Sequence, residues 1–245
     1  MLALACSQAA AQRGRDQDRE IVEQARLVAE SGQIELYQRG MAVERSFLDL
    51  AERAYQRLEM LTGRKLDVAA LGPKIRIYVA DFQGPSHVWG GYAHPQDPRG
   101  IIFLNRRAYQ GAMRGGNATY AHEMAHLFTW RYSSHTLREG IADYLALQVH
   151  PGAAVGAHEG DNDSVPIEPV MAEYLGTTRP PPPEVTQGGP FRRMYYVASY
   201  RFVKFLVARG GMETFLKLYD SPNPESAFPT LYGASRAELV RMASL

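Results

Sequence analysis

The stretch YAHEMAHLF, residues 120–128, limits the fold more than any other part of this 245-residue chain. Ala121, Met124, Ala125, Leu127 and Phe128 make it apolar almost all round a helix, so it needs neighbours on every side and belongs in a core. That core helix also carries His122, Glu123 and His126. Residues four apart share a helix face, so the two imidazoles can meet at one point. Burying two imidazoles without partners is costly, and a metal ion between them removes the cost. Zinc accepts neutral imidazole nitrogen well. Glu123 lies about 100° round the helix from His122, badly placed to bind the same ion but able to reach a water on it. The spacing H-E-x-x-H thus supplies two ligands and a base in five residues. The competing reading is a helix that carries two histidines on a solvated face.

The rest of the chain must supply the surroundings. Apolar residues make up 45%, enough for a core in one domain. Lys+Arg (27) and Asp+Glu (26) nearly cancel, and no basic run points to nucleic acid. No stretch is long enough to span a membrane. Cys6 is the only cysteine, which excludes an intrachain disulfide. Residues 1–14, beginning MLALACSQAAAQ, read either as a signal remnant, with cleavage chemistry near Ala9–Ala11 or a lipobox at Cys6, or as a disordered terminus. The first implies an extracytoplasmic protein, secreted or lipid-anchored, and the second a cytoplasmic one. Oligomeric state is left open.

Periodicity assigns the elements. Ile21, Ala25 and Val28 have helical spacing, with a stop at Ser31-Gly32. QIELYQ (33–38) alternates as a strand, and Val43, Phe47, Leu50, Ala54, Leu58 and Leu61 mark an amphipathic helix ended by Gly63. KIRIYVA (74–80) is a strand with Ile75, Ile77 and Val79 on one face, and residues 89–105 form a hairpin around a Pro/Gly/Asp turn. Asn117 can cap the HEMAH helix, and Thr136 can cap another that runs to about His150 before Pro151. Residues 151–190, rich in Pro, Gly and Asp, read as a long surface excursion, with RPPPP as a stiff segment. Helices follow at about 191–209, 211–219 and 235–243. Strands followed by helices predict an α+β domain over 15–245, with an N-terminal α/β part (33–130) and a helical C-terminal part (131–245).

A hydrolytic zinc site needs a third protein ligand. Thr129 and Tyr132 stand where the metzincin pattern requires Gly and His, which excludes that class. His135 is one option, in a loop with Ser133 and Ser134. LREGIADY (137–144) offers a better one: Glu139 as ligand, and Asp143 one turn on, accepting the other ring N–H of a ligand histidine, His122 by preference. The competing readings are a capping box, Thr136-x-x-Glu139, and a solvated carboxylate at Asp143. His87, His94, His150 and His158 have no partners at ligand spacing and read as surface or hydrogen-bonded histidines. DNDS (161–164) lacks the glycine and terminal glutamate of a calcium loop.

HEMAH followed by LREGIADY resembles the gluzincin zinc peptidases, and more closely the bacterial peptidase MA-like domains, over roughly residues 33–240. The resemblance implies a zincin-like fold: a small N-terminal mixed sheet with an edge hairpin, an HExxH helix and a mainly helical C-terminal half. It implies one zinc ion on His122, His126 and Glu139, with Glu123 as general base and then acid, acting on a peptide or protein substrate. It also implies a tyrosine on the late helix YYVASYRFVKFLVARGG that donates to the oxyanion, matched best by Tyr196, with Tyr195 as alternate. An edge strand, WGGYA (89–93) or GIIFL (100–104), would take an extended peptide, with Gly90 and Gly91 allowing close backbone approach; a plain hairpin with a glycine bulge fits the same residues. Leu137 and Arg138 depart from the family pattern at positions that shape the cleft rather than bind metal. The alternative function is a zinc-containing binding or structural module that holds an extended partner at its sheet edge without cutting it.

Overall fold

A computed structural model describes residues 2–89, 97, 99–131, 134–155, 167, 169–177, 181–182, 185 and 189–243, without the side chains of 2–11, 189 and 190. The chain is α+β and forms two compact units: Met1–Glu59 with Arg64–Phe128, and Met60–Gly63 with Thr129–Leu245.

The first unit is built on a five-stranded mixed sheet. Its strands are β1 (Arg26–Glu30), β2 (Ile34–Arg39), β3 (Ile75–Ala80), β4 (His87–Val88) and β5 (Ile101–Asn105), in the order β1-β2-β3-β5-β4. The central trio β2-β3-β5 is parallel, and β1 and β4 are antiparallel edges. Ile75, Ile77 and Val79 share one face as the alternation predicts, and all three are fully buried. Tyr78, Ala80, Ile101 and Phe103 on the other face are buried too, against Ile21 of helix α1 (Leu2–Gln24). Cover on both faces explains why β5 reads IIFL, a continuous apolar run rather than an alternating one.

Helix α2 (Ser46–Thr62) starts after Val43 and buries Phe47, Ala54 and Leu58 of its predicted stripe, with Leu50 and Leu61 half-buried, and Gly63 ends it at φ +64°. A short α3 (Val68–Leu71) precedes β3, and α4 (Arg106–Met113) and α5 (Thr119–Phe128) follow β5. Two expectations are corrected here. The helix read through Val28 ends at Gln24, and Arg26–Glu30 is strand β1. Pairing with β2 decides this, and Ser31-Gly32 is the hairpin turn, where the Ser31 amide donates to Ile34 O at 2.8 Å. The hairpin before β5 starts at His87 rather than Trp89, although the Trp89 amide extends the pairing to Ile101 O at 2.8 Å. Residues 90–96 and 98 of that hairpin lie outside the described residues.

The second unit is helical among its described residues. It comprises α6 (His135–Val149), α7 (Pro169–Leu175), α8 (Gly189–Tyr219), α9 (Pro224–Tyr232) and α10 (Arg236–Met242). Helix α8 kinks at Gly211 (φ 79°), where the sequence reading breaks it. The excursion 151–190 is not all surface: Val155, Met171 and Leu175 are fully buried, and α7 lies within it. Helix α9 escapes a sequence reading because Pro229 sits inside it; Asn223 caps it, accepting from the Ser226 amide. DNDS, His94, His158 and most of RPPPP lie outside the described residues. Among the described residues, no helix is long and apolar enough to cross a membrane.

Candidate metal centre

Helix α5 is buried along its whole length, all ten residues from Thr119 to Phe128. Asn117 Oδ1 accepts from the Thr119 amide at 2.9 Å and satisfies one first-turn donor, from the position before Ala118, whose carbonyl accepts the first helical bond. Two edge-to-face pairs align α5 with α2: Phe47 with Tyr120 (5.6 Å) and Tyr55 with Phe128 (5.2 Å). Each pair is eight residues from the other on both helices, so the two run side by side for about two turns. α5 also packs against β4 and β5. This packing settles one competing reading, because His122 and His126 do not lie on a solvated face.

The His122 and His126 rings are nearly perpendicular (85°), with their Nε2 atoms 3.1 Å apart. One ligand atom each from His122, Glu123 and His126 lies within 4.8 Å of the others, and the group can hold a metal ion. Two nitrogens bound at about 2.0–2.1 Å in a tetrahedral site stand roughly 3.3 Å apart, close to the separation observed. The donor set, two imidazoles and a carboxylate, suits zinc chemistry. A cleft at the carboxyl ends of β3 and β5, lined by Asp81, Asn105, Arg106 and Arg114, includes none of these three residues.

Glu139 and Asp143 lie on α6 in the second unit, where both are buried (3% and 1% exposed). Neither competing reading survives for them. The N-cap of α6 is Ser134, not Thr136, and Thr136 instead hydrogen-bonds the Tyr195 hydroxyl at 2.9 Å. Glu139 accepts from Arg138 Nε at 2.8 Å. Asp143 is withdrawn from solvent. His135 is the first residue of α6 rather than part of a loop; its Nε2 is 3.9 Å from Glu139 Oε1 and its Nδ1 3.2 Å from the Tyr195 hydroxyl.

Helix α8 brings Tyr196 into the same neighbourhood. Burial pushes its phenol well above the usual tyrosine range; Glu139 adds to this, Arg192 opposes it, and Asp143 adds further. Arg192 lies over the Tyr196 ring at 5.3 Å. Tyr195 is fully buried, with its hydroxyl engaged by Thr136 and His135, so Tyr196 is the better placed of the two to act on a ligand. The expected site residues therefore assemble as two groups, His122/Glu123/His126 in one unit and Glu139/Asp143/Tyr196 in the other. Sequence reasoning passed over Asp18, whose carboxylate is 1% exposed and bonds His87 at 2.9 Å; nothing local in DQDRE marks it as buried.

A scan against models of known protein families and a search of curated proteins find no match to this chain.

Proposed function

We propose that this protein is a zinc-dependent metallohydrolase that cleaves peptide bonds, in a zincin-like fold. The observation that carries the reading is the convergence of the His122 and His126 Nε2 atoms on a buried helix, with the Glu123 carboxylate beside them. In this reading His122, His126 and Glu139 hold one zinc ion. Zinc in such a site supplies a Lewis acid, which lowers the pKa of a bound water to about 7 and polarises a carbonyl. Glu123 accepts the proton of the attacking water and returns it to the leaving amine. Asp143 accepts the Nδ1–H of His122 and fixes the tautomer that leaves Nε2 free to bind. Tyr196, held neutral by its surroundings, donates to the substrate oxygen as it gains negative charge. The packing of α5 on edge strand β4 favours an extended peptide as substrate.

A second reading rests on His135. Its Nε2 is close enough to Glu139 to serve as a fourth protein ligand, which would close the site and leave a zinc-containing binding or structural module. One experiment separates the two. Metal content is measured on the purified chain and on Glu123→Gln, together with cleavage of a permissive peptide library with and without a chelator. The hydrolase reading expects one zinc in both proteins and chelator-sensitive cleavage in the wild type alone. Zinc without cleavage in either selects the structural module. A chain without metal ends both readings.

A further inference from the structure

Among the described residues, strand β4 is two residues long and pairs with β5. So short a ladder has little stability of its own, yet α5 packs against it. Side-chain contacts must therefore hold β4, and His87 supplies them. Its ring ends a file of stacked aromatics across four strands, each ring directly opposite the next in register. Tyr37 stacks on Tyr78 (4.6 Å), Tyr78 on Phe103 (5.7 Å) and Phe103 on His87 (5.0 Å). Phe82 meets the same imidazole edge-on at 6.0 Å.

Both ring nitrogens of His87 face oxygen acceptors. Nε2 is 2.9 Å from Asp18 Oδ1, and Nδ1 is 3.2 Å from the Pro85 carbonyl oxygen. A neutral imidazole has one N–H and can serve only one of them; the imidazolium serves both. Asp18 lies on α1 and is 1% exposed, and a carboxylate so buried calls for a cation against it.

We infer that Asp18 and His87 form a carboxylate–imidazolium pair through which α1 fastens edge strand β4 beside the HEMAH helix. This makes His87 a positioning residue for the strand along which an extended substrate would lie. That last step rests on the hydrolase reading; the ion pair and the fastening do not. The electrostatics agree. Burial opposes a charge on His87, but the hydrogen bond and charge of Asp18 outweigh it, the Pro85 carbonyl and the Glu123 carboxylate add to it, and His87 is held above the usual histidine range. While the carboxylate is ionised, the fastening that the raised pKa provides is complete below the ordinary histidine range and is lost as pH rises through the His87 titration.

The test uses the full chain and three measurements. Side-chain ¹⁵N NMR of the wild type should find protons on both His87 nitrogens at neutral pH, with one lost only above the ordinary histidine range. Amide exchange at Trp89, whose N–H bonds Ile101 O, should quicken about tenfold or more in Asp18→Asn and in His87→Gln. The double variant should add little to either, because one pair is broken in all three. In zinc-loaded protein the same changes should raise KM for a peptide pool and leave kcat little altered. A neutral His87 at pH 7 overturns the inference even if the variants do not fold, and so does unchanged Trp89 exchange in folded variants. Absence of zinc or of cleavage would defeat the hydrolase reading while the NMR and exchange results still decide this one.

Discussion

Gly140 on α6 and Ser199 on α8 approach so closely that a Cβ added to the glycine would stand 2.4 Å from the serine carbonyl oxygen and 2.6 Å from Val203 Cγ2. Neither the backbone oxygen nor the fully buried valine has room to yield. The glycine beside Glu139 is thus what lets the two helices pack at this distance, and the packing sets Glu139 and Asp143 in the neighbourhood of Tyr196. Gly140→Ala should destabilise the chain by about 1–3 kcal/mol through overpacking, read as a lowered urea midpoint. An unchanged midpoint would mean that α6 and α8 are not in this contact.

His122→Ala and His126→Ala should each abolish stoichiometric zinc. Because binding to the folded state alone raises stability, the wild type should also lose melting temperature on chelation, and the two variants should not. Retention of zinc by either variant, measured by elemental analysis, would show that the ion sits elsewhere.

Tyr196→Phe should leave zinc content intact and lower kcat by roughly 10²–10³, the usual effect of removing one oxyanion donor. Tyr195→Phe should act differently. Its hydroxyl serves Thr136 and His135, so the loss should appear in unfolding free energy more than in kcat. Equal kcat losses in both variants would defeat the assignment.

Alkaline pH should unfold the protein. Burial pushes Tyr120 up to about 12, slightly opposed by Arg53; burial also takes Tyr195 to about 12, with Thr136 and Ser199 pulling down and Glu139 up. Unfolded phenols titrate near 10. With folded pKa values above unfolded ones, the stability due to these groups is complete below about pH 10 and is lost as pH rises toward 12. Tyrosinate absorbance should therefore lag behind model phenols and then rise together with loss of the folded circular dichroism. Ionisation of all tyrosines near pH 10 without unfolding would contradict their burial.

Arg236 is 1% exposed and donates to Leu175 O, Glu225 Oε1 and Ser134 Oγ, which ties α10 to the end of α7, the start of α9 and the N-cap of α6. Arg236→Met should cost roughly 2–3 kcal/mol, typical of lost hydrogen bonds to a charged group. Lysine should not restore it, since an ammonium cannot span three separate acceptors from that stem. Urea unfolding of the three proteins measures both effects.

The grouping of His122, Glu123 and His126 could be read directly. His122 and His126 are neighbours because a helix puts residues four apart on one face, and the apolar residues between them announce that the face is buried. Strands β2, β3 and β5 were legible for a similar reason, since their alternation or continuous apolarity is local. Arg26–Glu30 was not, because RLVAE suits a helix or a strand about equally until β2 arrives beside it. Thr136 and Glu139 fit a capping box in spacing alone; the structure gives Thr136 to Tyr195, 59 positions along, and moves the cap to Ser134.

The sequence by itself determined which residues share a helical turn, and so it determined the HExxH group, whose members lie within five positions. Tertiary structure decided which carboxylates are taken out of water: Asp18, in the charged stretch DQDRE, is as buried as Glu139 and Asp143 on the apolar helix α6. Burial depends on what packs over a residue, and packing is settled between segments far apart in the chain, where no local period reports it.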